Sequence, residues 1–437
     1  MAASLDVGSV IRGARAAARM TQAQLGALCG YSGSAVSRME SNGLQLSREA
    51  LLRVAEVLRI APEQLGVTPH SMGRTAADGP VGAARVAGTV GRTQEDAVRR
   101  RQLLAGAVGV GEALAAGPAS AEPRRAAADP AAALEAALYR SAGGVPVPLE
   151  RLAGALGVAR QDFTAAHYGA LGQALPGLLG AAEATRDGSS GRARERAHAA
   201  LARGYVLATE LAVKLHADVA WATADRALTA ARASGDPVVI GEAARVLAIT
   251  MRRAGRTGAA VDLLRGTASS LGEQRGAAAC AVEATLLMTA AYTAACGQDR
   301  HAAMDLMAGA EQAVERVPAK GPGVLFTVDA TTAQADLYWI GVHNALGTPD
   351  EGARYAARID PSALPTAERR ARLGTDTARM WHQLGDHKKT FTALRMVEQA
   401  APEEVRRPAL RAMTADLLYG PVALPGMRDF ARRTGAI

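Results

Sequence analysis

Residues 21–43, TQAQLGALCGYSGSAVSRMESNG, read as two short helices joined by a tight turn. Thr21 caps the first helix, and Gln24 three residues on completes a capping box. Gly30 ends that helix and Ser32 caps the second. The second helix offers Val36 and Met39 to a core and turns Ser34, Ser37 and Arg38 outward. A helix presenting small polar groups and one arginine suits the DNA major groove, where arginine reads a guanine edge through two hydrogen bonds.

The flanks extend the pattern. Residues 7–19 predict a helix with Val10, Ile11, Ala14 and Ala18 on one face. Residues 47–59 predict another, started by Ser47, with Leu51, Val54, Ala55 and Leu58 on one stripe. Pro62 starts a last short turn, APEQLG. Five short helices in about 65 residues are enough to fold alone, though marginally.

The order T-Q-x-x-L, G-x-S, V-S-R-M-E, a Gly-containing turn and an amphipathic helix resembles the phage-repressor/Cro-like helix-turn-helix domains of the XRE family, over residues 7–67. The resemblance implies a five-helix lambda-repressor-like domain at 1–68 that binds a double-stranded DNA operator. Carried over, it places Gln22 on a phosphate and Gly33, Ser34 and Arg38 at base-reading positions. Ser32, Ser37 and Asn42 complete the expected DNA-binding set. Two residues depart from the family: Gly26 replaces the usual Ala, and Gly33 supplies no side chain where a base contact is common. Base readout then leans on Ser34 and Arg38.

Charge sets a limit on one such domain. The whole chain carries a formal +8, but seven arginines against five carboxylates leave residues 1–68 at only +2. Affinity for DNA comes largely from neutralising phosphates, so a single copy would bind weakly. A homodimer on a two-fold operator is the expected remedy.

Residues 69–130 read as a linker, rich in Gly, Ala and Pro at 69–93, with one helix at about 94–116. Within it, RRRQLLAGAVGVGEALAAGPASA (99–121) imitates a twin-arginine export signal. It follows a complete domain and contains Glu112, so it reads as a packed helix rather than a signal or membrane span. No membrane partner is expected, and the chain is expected in the cytoplasm.

From 131 to 437 the pattern is helix after helix, with no strand-like alternation. Aromatic residues make up only 3% of the chain, so alanine and leucine must supply the core and the helices must pack closely. Breaks fall at Gly143–Pro148, Asp187–Gly191, Gly235–Pro237, Gly272, Pro318–Gly323, Gly347–Pro349, Pro361–Pro365, Gly385 and Pro402. A weak repeat recurs at Gly255, Gly297, Gly347 and Gly385, spaced 42, 50 and 38 residues apart, where one helix ends and the next starts with small residues. These spacings exceed the tetratricopeptide period of ~34 but suit a solenoid of helical hairpins, each covering the apolar face its neighbour leaves open.

The segment 364–413 carries most clearly a likeness to XRE-type regulators with a tetratricopeptide-like C-terminal half, common in high-GC Gram-positive bacteria. More distantly the chain is similar to RRNPP peptide-pheromone receptors. That likeness implies a short peptide bound on a concave face and a role in quorum sensing.

Enzyme signatures are missing, so no catalytic residue and no cofactor is expected. GAVGVGEALAAG (106–117) follows no strand and fails as a nucleotide loop. His382 and His387 lack a third ligand, so no metal site is expected either. Cys29, Cys280 and Cys296 show no disulfide or metal spacing and read as buried free thiols. Trp221 reads as packing.

A ligand site is expected on the first helices of the hairpins, where polar and aromatic side chains stand out from alanine. Its candidates are Arg252, Arg253, Tyr292, Asp336, Tyr338, Trp339, His343, Asn344 and Gln383. Asn344 is one of only two asparagines in the chain and can pair with a peptide backbone through donor and acceptor.

These readings converge on an all-α transcription regulator that acts as a homodimer under the control of a small molecule or peptide. The alternative is a protein-binding helical scaffold, anchored to DNA and without a small ligand.

Overall fold

The structure, a computed structural model, describes residues 6–29, 31, 33–41, 48–67, 130–139, 144–274, 276–318, 321, 323–420 and 422–437. Every regular element among them is helical, as the sequence predicts. The chain divides into two compact units, Met1–Thr68 with Ala127–Ile437, and Pro69–Ala126. The second unit lies outside the described residues, and with it the expected helix at 94–116 and the export-like segment.

Four α-helices form the N-terminal domain: α1 (Val7–Ala17), α2 (Gln22–Cys29), α3 (Gly33–Glu40) and α4 (Arg48–Leu58). A 3-10 turn, Pro62–Leu65, closes it where the sequence predicts a last turn. The capping box is realised in both directions. The Gln24 N–H donates to Thr21 Oγ1 at 3.2 Å, and the Thr21 N–H donates to Gln24 Oε1 at 2.8 Å. Ile11, Leu25, Val36, Met39 and Val54 meet in one small core.

The C-terminal region is an array of helical hairpins. It begins with α5 (Pro130–Tyr139), α6 (Leu149–Thr164), α7 (Tyr168–Asp187), α8 (Gly191–Leu215) and α9 (Ala220–Ser234). It continues with α10 (Pro237–Arg253), α11 (Thr257–Gly272), α12 (Ala277–Cys296), α13 (Arg300–Glu315), α14 (Thr332–Ala345) and α15 (Pro349–Ala356). It ends with α16 (Ala367–Gln383), α17 (His387–Ala400), α18 (Pro408–Tyr419) and α19 (Met427–Thr434). Consecutive helices pair from α8/α9 through α16/α17, and the first helix of each pair packs on the first helix of the next. Alanine makes this possible: Ala243, Ala244, Ala281, Ala284, Ala290 and Ala291 are all fully buried.

Three of the four repeat glycines hold the left-handed turn that stops the first helix: Gly255 (φ 77°), Gly347 (φ 70°) and Gly385 (φ 75°). At the fourth turn Gln298 takes that conformation at φ 63° in place of Gly297, one residue later.

The array closes on itself. One core joins helices α5–α10 to residues of α16–α19, and a second fills the middle. At the seam Lys214 Nζ of α8 pairs with Glu368 at the start of α16 and with Glu404. The Tyr168 hydroxyl of α7 donates to Glu404 Oε1 at 2.6 Å.

Helix α12 is the one described helix long and apolar enough to cross a membrane, but 72% of its apolar window is buried inside the array. It carries both Cys280 and Cys296. The expectation of buried thiols holds only for Cys29; Cys280 is half-buried and Cys296, the last residue of its helix, is exposed. Trp221 also departs from a packing role. It is 39% exposed, with the Arg256 guanidinium over its ring.

Gly374 lets α16 and α17 touch. A Cβ there would lie 2.7 Å from Val397 Cγ2 and 3.1 Å from the Ala393 carbonyl oxygen. Gly374→Ala is therefore expected to destabilise the chain by about 1–3 kcal/mol, the usual cost of overpacking. Gly266→Ala, on the exposed face of α11 with no atom within 4 Å of its Cβ, is expected to stabilise by about 1 kcal/mol. Urea unfolding of the two variants checks both signs.

Candidate functional site: a DNA-reading helix and an enclosed cleft

Glu40, the last residue of the V-S-R-M-E run, is the anchor of α3. It is 3% exposed and draws together three helices. Arg15 of α1 pairs with its carboxylate through Nε and Nη2, the latter at 3.1 Å, and the Arg12 guanidinium donates to its carbonyl at 2.8 Å. The Gln22 amide at the start of α2 donates to Glu40 Oε2 at 2.8 Å. Burial pushes the Glu40 carboxyl up, but the hydrogen bonds from Arg15 and Gln22 outweigh it and hold the pKa below the ordinary value. Gln22, assigned to a phosphate by resemblance, thus has a structural tie that fixes α2 against α3. The sequence motif contained Glu40, but no charge partner near in sequence marked its role.

On α3, Ala35, Val36 and Met39 are buried and Ser37 is exposed. Gly33 aims its Cβ direction at α2, 3.3 Å from the backbone of Ala23. Any side chain there would press on α2, so of the residues expected to read bases only Arg38 has a described side chain. Ser32, Asn42 and the Ser34 side chain lie outside the described residues.

Arg38 is engaged from the array. Its Nη2 donates to Asp350 Oδ1 at 2.9 Å and, at 3.4 Å, to the carbonyl oxygen of Gly347. Both partners belong to the turn and first residues of the α14–α15 hairpin. The guanidinium side chain is 19% exposed, and its Nε is buried with no hydrogen-bond partner among the described residues.

Within the array, the inward faces of α8, α10, α12, α14 and α16 form a partly open cleft with a volume of about 120 Å³. Arg252, Tyr292 and Tyr338 of the expected ligand set line it. Arg253, Asp336, Trp339, His343, Asn344 and Gln383 do not.

Helical register explains the division. On α14 the cleft takes Gln334, Leu337, Tyr338 and Gly341, one stripe at three- and four-residue spacing. Asp336, Trp339 and His343 fall on another stripe. The Trp339 indole donates to Glu311 Oε1 at 2.8 Å and stacks on Tyr355, with ring centroids 5.1 Å apart. The Asn344 amide donates to the Asp376 carbonyl at 2.8 Å, and the Gln383 amide reaches the Asn344 carbonyl at 3.4 Å. Arg253 donates to the carbonyl of Val213 at 2.5 Å. Asp336 faces Arg358 at 3.8 Å.

Sequence reasoning missed Lys214, Arg245, Gln334, Arg369 and Arg372, which all line the cleft. A signal existed at Arg245, a lone charge in the apolar run AARVLAIT.

His343 is a packing residue with a pH consequence. It is 1% exposed, packs against both Trp339 and Tyr355, and shares a 3.0 Å hydrogen bond between Nδ1 and Thr348 Oγ1. Burial, then the charges of Arg300 and Arg354, push its pKa down to about 4 against the pull of Asp350. Glu351 Oε2 also faces it, at 3.8 Å. The unfolded imidazole takes its proton near pH ~6.5, so its contribution is complete above that pH and is lost as pH falls toward the folded value. Wild-type stability is expected to fall by about 2 kcal/mol between pH 7.5 and 5 through this one group. Urea unfolding of His343→Phe over that range should show a shallower slope; an unchanged slope refutes the assignment.

A family profile described as a helix-turn-helix domain matches residues 6–66. No curated protein matches the chain. The N-terminal region is thus a helix-turn-helix domain of the kind found in DNA-binding regulators, joined to a helical-hairpin array.

Proposed function

We propose that this chain is a sequence-specific transcription regulator of the cytoplasm. Two copies act together on a two-fold operator, and a ligand bound by the array controls them. The single observation that carries the control is the engagement of Arg38 by Asp350 and Gly347. The arginine best suited to reading a base is held by the other part of the chain, so freeing it and binding DNA are one event.

Homodimerisation follows from charge. A reader at +2 gains too little from phosphate neutralisation alone, and a second head on a half-site one turn away, ~34 Å, supplies the rest. The ligand reading draws on the array. Like tetratricopeptide arrays, it turns the first helix of each hairpin toward a common cleft.

Genome-wide binding footprints, followed by light scattering of the complex on the strongest site, test the proposal. A palindromic consensus carrying two protomers is the expected result. Binding without sequence preference, or one protomer per site, refutes it.

A further inference from the structure

The cleft carries more positive charge than its own carboxylates answer. Its cations are Lys214, Arg245, Arg252, Arg369, Arg372 and Arg407, and its carboxylates are Glu210, Glu368 and Asp376; Glu404, outside the lining, answers Lys214 and Arg407 as well, and the cations still outnumber the carboxylates. Each carboxylate is already shared between two cations. Glu210 lies between Arg245 and Arg160, at 3.2 and 3.1 Å. Glu368 serves Lys214 and Arg369, and Asp376 serves Arg372 and Arg379. Among the described residues, Arg252 reaches neutral groups, the Thr293 hydroxyl at 3.1 Å and the face of the Tyr292 ring at 4.7 Å, and no carboxylate. Uncompensated charge in a desolvated place is costly unless an anion enters.

Gln334 is an independent sign. It lines the cleft at 1% exposure, and neither its amide oxygen nor its amide nitrogen has a hydrogen-bond partner among the described residues. A buried amide with both ends open is expensive in an empty protein and useful in a binding site. The field is visible at Tyr338 as well. Burial pushes that phenol up, yet the charge and hydrogen bond of Arg245 bring it down to about 8.

We infer that the cleft binds a small molecule bearing a carboxylate or phosphate group. The anion would sit on Arg245, Arg252 and Arg372, and Gln334 would supply one donor and one acceptor. The Tyr292 and Tyr338 rings would flank the uncharged part. The seam at Lys214 argues for a small molecule over a peptide, because it joins the first hairpins to the last and shuts the groove along which an extended chain would run. The inference rests on the ligand-control reading above and narrows it.

The test is calorimetry and thermal unfolding of the full chain with citrate and with tripolyphosphate, at constant ionic strength, with spermidine and a neutral sugar as controls. At least one polyanion should bind and raise the unfolding temperature; preference between the two tells carboxylate from phosphate. Arg252→Met and Gln334→Met should each weaken that binding by about tenfold or more. Gln334→Met should unfold no earlier than wild type without ligand, because it removes an unpartnered amide. Failure of both polyanions to bind overturns the inference, as does equal binding by the two variants, which would place the anion on the DNA-reading surface. Operator binding with the same anion separates the two readings. An anion that binds in the cleft and leaves operator affinity unchanged upholds its chemical class and removes its role in control. Control by a neutral compound or a peptide does the reverse.

Discussion

Arg38→Ala is expected to weaken operator binding by about 1–3 kcal/mol, roughly 5- to 150-fold, and to relax preference at one base position. Asp350→Ala should act in the opposite direction. It leaves Arg38 in place and removes the carboxylate 2.9 Å from it. Both side chains are partly exposed, so their pair is worth about 1 kcal/mol at most, and affinity should rise by no more than about fivefold. Arg38→Ala/Asp350→Ala should match Arg38→Ala alone, since the second change has nothing left to free. Titrations of labelled operator measure all three. If Asp350→Ala weakens binding instead, Asp350 positions the reader and does not restrain it. The family assignment of Gln22 adds a further contrast. Gln22→Ala removes a donor to Glu40 as well as any phosphate contact, so its effect should be uniform across sequences and accompanied by a lower unfolding temperature.

Lys214→Met is expected to have the largest effect on stability. The lysine side chain is 12% exposed, and its ammonium answers two carboxylates, Glu368 and Glu404, each 3% exposed. Burial pushes the carboxyl of Glu368 up, but the charges of Arg369 and Lys214 outweigh it and hold it below the carboxylate range. At Glu404 burial is likewise outweighed, by Lys214 and Arg407. Removing one partner of a buried pair costs about 3–5 kcal/mol. Arg369 and Arg407 remain beside the two carboxylates, so the lower end, about 3 kcal/mol, is expected. Urea unfolding measures the loss, and hydrogen exchange should locate it where α16–α18 meet α6–α8. A loss below about 1 kcal/mol would mean that apolar packing alone holds the seam.

Much of this architecture was legible because its punctuation is chemical. Among the described residues, the breaks predicted at Gly or Pro up to Pro402 fall between α-helices or at the end of one. Breaks that escaped notice include two where an ordinary side chain takes the left-handed turn, Ala166 at φ 61° and His216 at φ 58°, and one before α19 that Gly426 marks at φ 77°. Neither alanine nor histidine announces that conformation, and tertiary packing imposes it. The N-terminal domain was legible through the Thr21–Gln24 capping box, which is local; the other predicted caps, Gly30, Ser32 and Ser47, lie outside the described residues. The cleft was only half legible. That α14 carries polar groups is plain from ADLYWIGVHN, but which stripe turns inward depends on how five hairpins wind around one another, and no short stretch encodes it. Selecting residues by polarity alone picked Trp339 and His343 from the packing stripe and passed over Gln334.

Because Asp350 and Arg38 belong to one chain, their contact does not dilute away. Under the proposed control the closed fraction would stay constant however few copies a cell holds, whereas occupancy of an operator by two copies would fall steeply with concentration. Reciprocity adds a second consequence. If closing the array on Arg38 lowers operator affinity by some factor, the operator must loosen that closure by the same factor. DNA would then alter the array from a distance: a fragment carrying the operator should change the apparent affinity of whatever the cleft holds, without touching the cleft.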